Sequence, residues 1–110
     1  MIIENEGDFT IVFQDNTALT KFLEDFREAY PRLKNDNLIV NLLSMMDIKA
    51  ADLSEFVSLS NKHTARKRSF VVVSNRVSYE ELPDELQVVP TLQEAKDLIE
   101  MEEIERDLGL

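Results

Sequence analysis

Residues 38–43 read Leu38-Ile39-Val40-Asn41-Leu42-Leu43, a nearly unbroken apolar run in the 110-residue chain. The run is too short for an independent helix and lacks the polar alternation of a half-exposed strand. Such runs are typical of central strands that are covered on both faces. A second run, Phe70-Val71-Val72-Val73, is β-branched and apolar in the same way. The sequence therefore predicts two central strands.

The N-terminal third predicts a hairpin followed by a helix. Residues 9–13 alternate in the period-two pattern of a strand, and a turn at 6–8 joins them to a short edge strand at Ile2–Ile3. An apolar stripe at helical spacing predicts a helix over roughly 17–30. We expect Asp15-Asn16-Thr17 to supply its N-cap and Pro31 to end it.

The rest of the chain continues the alternation of helices and strands. A helix is predicted from Lys49 or Ala50 to His63, a short helical turn at 78–82 and a strand at 87–89. Thr91 and Glu94 form a capping box that opens the final helix. The order predicts an α/β domain with a largely parallel core sheet and an antiparallel N-terminal addition.

The composition excludes most kinds of catalytic site. The chain has no Cys, one His and two Gly. Disulfides, thiolate zinc sites, iron–sulfur clusters and Cys nucleophiles are thereby excluded, as are glycine-rich phosphate loops. His63 has no nucleophile or orienting acid nearby in sequence, so we expect it to stabilise a helix end. We expect no catalytic residues, no metal site and no cofactor, and hence no enzyme.

The net charge of −10 is unevenly distributed. Residues 1–48 carry a net −5, residues 49–78 a net +4 and residues 79–110 a net −9. The acidic balance argues against nucleic-acid binding, which needs a cationic surface, and opposes adsorption to anionic membranes. The basic cluster from Lys62 to Arg68 leaves one alternative open, a small accessory or RNA-associated protein. We interpret the acidic pair Glu102-Glu103 as part of a solvated face.

The sequence also predicts where the protein resides. No stretch approaches the roughly 18 apolar residues of a membrane helix. The first residues, MIIENEGDF, lack the basic start and apolar stretch of a signal peptide. We expect a soluble cytoplasmic protein with no membrane contact.

This layout resembles the STAS domain, which occurs in anti-sigma-factor antagonists and in the cytoplasmic tails of sulphate transporters. The residues that carry the resemblance are Asn41-Leu42 at the end of a central strand, Ile48, the helix start at Lys49–Leu53, and Pro90-Thr91-Leu92-Gln93-Glu94-Ala95. The resemblance covers nearly the whole chain, and it lies in the order of strands and helices more than in residue identity. It implies one domain over 1–110, with 91–110 as an acidic C-terminal helix. It further implies a STAS-like layered sandwich, with a mixed sheet of about four to five strands and about four helices mainly on one face.

The chain departs from the family where phosphorylation would occur. The family's strand-end acid is replaced by Asn41, its loop acid by Lys49, and its Ser-Ser/Thr pair by Ala50-Ala51. In the family, one hydroxyl of that pair accepts a phosphate that switches partner affinity. Alanine has no oxygen to phosphorylate, so we expect that switch to be absent. Ser54 could substitute, and Asp52 could either cap the helix or imitate a phosphoserine.

The resemblance implies a non-enzymatic interaction module from a bacterium. We expect a docking face within 45–54, formed by Met46, Asp47, Ile48, Lys49, Ala50, Ala51, Asp52 and Ser54. The expected partner is a protein, such as an anti-sigma-factor-like kinase or regulator. Met45 is interpreted either as core or as part of this face. Met101, Ile104 and Leu108 indicate a further apolar contact, either within the chain or across a homodimer.

Overall fold

The computed structural model describes residues 1–13 and 18–109. The strands in this part of the chain are β1 (Ile2–Asn5), β2 (Phe9–Phe13), β3 (Asn37–Asn41), β4 (Phe70–Val73) and β5 (Gln87–Val89). The α-helices are α1 (Leu19–Leu33), α2 (Ala50–Leu53), α3 (Val57–Thr64) and α4 (Leu92–Asp107). Short 3₁₀ turns occupy Ser54–Phe56 and Tyr79–Glu81.

The five strands form one mixed sheet in the order β1-β2-β3-β4-β5. β1 pairs with β2 antiparallel, and the other neighbouring pairs are parallel. Parallel neighbours need a crossover connection, which α1 supplies between β2 and β3, and α2 with α3 between β3 and β4. The predicted α/β class, with a parallel core and an antiparallel N-terminal strand, is confirmed.

Both faces of the sheet are buried along β2, β3 and β4, whereas all four residues of β1 are exposed. Alternate side chains of each strand point to opposite faces, and helices cover each face. One face packs against α1 and the segment from α2 to α3, through Val12, Leu38, Val40, Phe70 and Val72. The other face packs against Ala95 and Ile99 of α4, through Ile11, Ile39, Val71 and Val73. The helices thus lie mainly on one face, with α4 alone on the other. This two-sided burial explains why the central runs lack polar residues.

The end of α1 was predicted too early. Pro31 lies inside the helix, which continues to Leu33. Proline has no N–H for the carbonyl four residues earlier, that of Arg27, but Arg27 and Pro31 are exposed and water can reach this side of the helix. Buried Tyr30 and Leu33 keep the last turn packed on the core. The predicted N-cap at 15–17 lies outside the described residues.

Two further boundaries differ from the predicted ones for local reasons. β3 ends at Asn41, because the Asn41 side-chain oxygen accepts the N–H of Leu43 at 3.0 Å and turns the chain. The predicted helix over 50–63 is divided by the 3₁₀ turn at Ser54–Phe56. At this point the Ser54 hydroxyl donates to the carbonyl of Ala51 at 2.6 Å, competing locally with the regular backbone pattern.

The outer side of α4 carries exposed apolar side chains. Met101 is 58 % exposed, Ile104 55 % and Leu108 68 %. The expected contact within the chain is therefore absent among the described residues, while contact across a homodimer stays a prediction. Over residues 1–13 and 18–109, no helix is both long and apolar enough to cross a membrane.

Candidate functional site

The expected docking face lies at the carboxyl edge of the parallel strands. Asn41 ends β3 there, and the loop that follows leads into α2. The loop that follows β4 comes to the same edge, where Nη2 of Arg76 lies 3.0 Å from the sulfur of Met46. Ligands and partners of open parallel sheets commonly bind at this edge, because loops from neighbouring strands meet there.

The eight expected docking residues differ in their exposure: five are exposed, two are half-buried and one is buried. Met46 is 60 % exposed, and Asp47, Lys49, Ala51 and Ser54 are also exposed. Ala50 and Asp52 are half-buried. Ile48 is only 7 % exposed and packs in the main core, so its side chain supports the loop from beneath. Met46 is thus the apolar side chain that this face offers to a partner.

Asp52 has a structural role at the start of α2. Its carboxylate accepts a hydrogen bond from the backbone N–H of Lys49 at 2.9 Å. The backbone N–H of Asp52 in turn bonds the Lys49 carbonyl at 2.9 Å. An acid at the third helical position that bonds the N-cap N–H is one half of a capping box. This geometry gives Asp52 a helix-capping role, and its imitation of a phosphoserine stays a prediction.

The face combines both signs of charge within a short stretch. Asp47 precedes Lys49 by two residues, and Arg76 reaches in from the neighbouring loop. The Asp47 and Lys49 side chains are exposed, so their charges are available to a partner. Charges of both signs around one exposed Met can complement an oppositely patterned surface. Because the signs are mixed, they attract polyanions only weakly.

His63 lies in the last turn of α3, the helix end at which it was expected, and it is fully buried there. Its Nε2 lies 2.7 Å from the carbonyl of Asp36, and its Nδ1 lies 2.7 Å from the hydroxyl of Tyr30. A carbonyl can only accept, so Nε2 carries the proton and Tyr30 donates to Nδ1. Burial lowers the pKa of His63 against the opposing effect of the Asp36 hydrogen bond, and nearby Arg66 and Arg68 lower it further. The ring is a neutral link between α3, α1 and the start of β3.

A polar network occupies the opposite edge of the sheet. Buried Asn37 donates to the carbonyl of Asp8 at 3.0 Å and to the carboxylate of Glu103. Its side-chain oxygen accepts from the backbone N–H of Ser69 at 2.9 Å and from Arg106 at 3.3 Å. The network therefore joins the starts of β3 and β4 to the C-terminal half of α4.

The expectation of a solvated face at Glu102-Glu103 is wrong. Both residues are half-buried. Glu102 accepts from the hydroxyl of Ser69 and, at 2.9 Å, from the side-chain amide of Gln87. Adjacent helical residues are about 100° apart, so both can border the inward side of a helix whose centre is held by other residues.

Among the described residues, no group of three or more His, Asp or Glu side chains is placed to hold a metal ion. His63 is directed at a tyrosine hydroxyl and a backbone carbonyl, both inside the core. The carboxyl edge instead presents an exposed surface on which Met46 lies among charged side chains of both signs.

The chain was compared with known proteins. No protein-family model matches it, and no curated protein matches it either.

Proposed function

We propose that this chain is a non-enzymatic protein-interaction module of the bacterial cytoplasm, with a STAS-like architecture. The observation that carries the proposal is the exposed Met46, set among Asp47, Lys49 and Arg76 where two loops meet at the carboxyl edge of the sheet. An exposed Met is flexible and polarisable, and so adapts to a partner's apolar surface. The charges of Asp47, Lys49 and Arg76 fix the orientation in which the partner binds.

The partner is a protein regulator, resembling the anti-sigma-factor kinases that STAS antagonists capture. It offers an apolar depression for Met46, bordered by groups that complement Asp47 and Lys49. The order of strands and helices supports this proposal, since it follows the layout from which the resemblance was drawn.

Under this proposal, docking does not depend on phosphorylation at the family's usual position. Ala50 and Ala51 lack a hydroxyl, and the Ser54 hydroxyl already donates to the carbonyl of Ala51 at 2.6 Å. Partner capture is then regulated by the amount of this protein or by the partner's own state.

The test compares two exposed methionines. Met46→Asp places a charge on the proposed face, whereas Met101→Asp makes the same change on α4 at nearly equal exposure, 58 % against 60 %. Each variant and the wild type carry a photo-crosslinker at position 51, an exposed alanine of the proposed face, and the crosslinked proteins are quantified by mass spectrometry from the native host. We expect a specific crosslinked protein that Met46→Asp removes and Met101→Asp retains.

Two results would contradict the proposal. One is equal crosslinking of the same protein by all three chains. The other is loss of crosslinking only in Met101→Asp, which would move the contact to α4. Circular dichroism of both variants establishes that each remains folded, as expected for substitutions at exposed positions.

A further inference from the structure

A cleft opens at the sheet edge opposite the proposed docking face. Its volume is about 300 Å³, and it is lined by Arg66, Lys67, Arg68, Glu103, Arg106 and Asp107. The turn that follows α3 forms one wall, and the C-terminal half of α4 forms the other. Four of the six lining side chains are cations, in a chain whose net charge is −10.

Two of the four cations, Arg66 and Arg106, are held in place by hydrogen bonds within the chain. The other two, Lys67 and Arg68, are available to a ligand. Arg66 donates from Nε to the carbonyl of Lys34 and from Nη2 to the side chain of Asn35, both at 3.1 Å. Arg106 donates to Asn37 and Ser69 at 3.3 and 3.2 Å. Within residues 1–13 and 18–109, the side chains of Lys67 and Arg68 make no hydrogen bond or ion pair. The cleft thus has a fixed cationic frame and two uncommitted charges.

The backbone at Lys67 provides an independent observation. Its φ is 66°, in the left-handed region that side chains with a Cβ rarely adopt. The chain's two glycines, Gly7 and Gly109, both occupy this region, with φ of 82° and 75°. Left-handed positions that follow helices usually hold glycine. Here a lysine occupies one, so the position carries a charge where glycine would be less strained.

We propose that this cleft binds a small phosphate-bearing anion, contacted by Lys67, Arg68 and the remaining N–H groups of Arg66. Lysine and arginine are the side chains that recognise phosphate oxygens, and arginine does so with two parallel hydrogen bonds. Two carboxylates, those of Glu103 and Asp107, also line the cleft, but the four cations outnumber them. The Glu103 carboxylate is further offset, because it accepts from Asn37 and lies 4.0 Å from Arg106. The proposed site is separate from residues 46–54 and does not depend on docking there.

The dimensions and surroundings favour a small anion over a nucleic acid. A volume of about 300 Å³ is at the lower end of small-molecule sites. One wall belongs to the segment 79–110, which carries a net −9 and would repel the phosphates of a longer strand. None of the described residues that line the cleft is an aromatic one that could stack a base.

Isothermal titration calorimetry with pyrophosphate, and separately with inorganic phosphate, tests the site on the full chain. We expect Lys67→Gly and Arg68→Gln each to weaken pyrophosphate binding by about tenfold, as for the loss of one charged hydrogen bond. Arg27→Gln is the matched control, since it removes one exposed cation of α1 and should leave binding within about twofold. Lys67→Gly should also raise the melting temperature, so weaker binding could not be attributed to unfolding.

Three outcomes would overturn the proposal. The first is the absence of measurable heat with either anion at low ionic strength. The second is an equal effect of Lys67→Gly, Arg68→Gln and Arg27→Gln, which would indicate diffuse charge screening. The third is tighter binding of a single-stranded RNA than of pyrophosphate, with a steep salt dependence that Lys67→Gly reduces. The cleft would then be a nucleic-acid contact.

Discussion

The Tyr30 hydroxyl donates a hydrogen bond to Nδ1 of His63 across 2.7 Å inside the core. The two rings also pack edge to face, with centroids 5.6 Å apart. Because Nε2 of the same imidazole donates to the carbonyl of Asp36, Nδ1 accepts from Tyr30 in the neutral ring, whereas in a protonated ring the Tyr30 hydroxyl would have to accept instead. The stability of the folded state therefore varies with the protonation of this side chain.

Stability should fall as the pH is lowered through the range in which His63 would take up a proton. The folded pKa is lowered by burial, whereas the unfolded chain titrates near about 6.5. Below about pH 6.5 the unfolded chain binds one more proton, so the free energy of unfolding drops by up to about 1.4 kcal/mol per pH unit until the folded pKa is reached. Urea denaturation of the wild type and His63→Gln between pH 7.5 and 5 measures this dependence.

The difference between those two chains isolates the histidine, because their carboxylates are the same. We expect His63→Gln to be less stable at pH 7.5 but to lose less stability on acidification. Parallel pH dependences would show that the imidazole is not held neutral in the folded chain.

Tyr30→Phe should destabilise the fold by about 1–3 kcal/mol, because it leaves the buried Nδ1 of His63 without a donor. It should also raise the pKa of His63, since the neutral ring loses a hydrogen bond that favours it. Urea denaturation measures the first effect and an NMR titration of the imidazole the second. An unchanged pKa would argue against the assigned donor direction.

Asn37→Asp should destabilise the chain by about 2–4 kcal/mol at neutral pH, because it replaces an amide donor with a carboxylate oxygen facing Glu103 and the carbonyl of Asp8. Part of the loss should be recovered in acid, where the new carboxyl is protonated. Asn35→Asp is the control, since it adds the same charge at an exposed position where Asn35 already accepts from Arg66. Equal effects of the two changes on the melting temperature would refute a buried network at Asn37.

Asp52→Ala should lower the free energy of unfolding by about 0.5–1 kcal/mol, because the backbone N–H of Lys49 loses its acceptor. Asp52→Asn retains a side-chain oxygen and should cost less. Asp47→Ala, at an exposed position just before the helix, should change stability little. If Asp47→Ala and Asp52→Ala had the same effect, the capping role would be rejected.

The fold could be predicted from the sequence at those strands where burial on both faces requires apolar residues. The apolar runs at 38–43 and 70–73 form strands that are covered on both faces, and this leaves a clear apolar signal. The helix start at Thr91 was also predictable, since its hydroxyl oxygen accepts the N–H of Glu94 at 3.1 Å. The signal at Thr91 comes from an interaction between two residues that are three positions apart.

Parts of the candidate site could not be predicted, because their partners are distant in sequence. Glu103 is 66 residues from Asn37, and Glu102 is 33 from Ser69, so the acidic pair alone gave no sign that it faced the sheet. The inward direction of Ile48 likewise depends on the core beneath its loop. His63 did leave a signal, since Phe56, Leu59 and His63 follow the helical spacing of a buried stripe.

The exposed stripe on α4 has a consequence for how the protein behaves in solution. Met101, Ile104 and Leu108 are interspersed with acidic residues along the same helix, so two copies that approach through this stripe bring like charges together. Repulsion of this kind acts over about 10 Å at 0.1 M salt and over about 3 Å at 1 M, whereas attraction between apolar surfaces persists. Concentrated salt should therefore make the molecules associate, and dilute buffer should keep them dispersed.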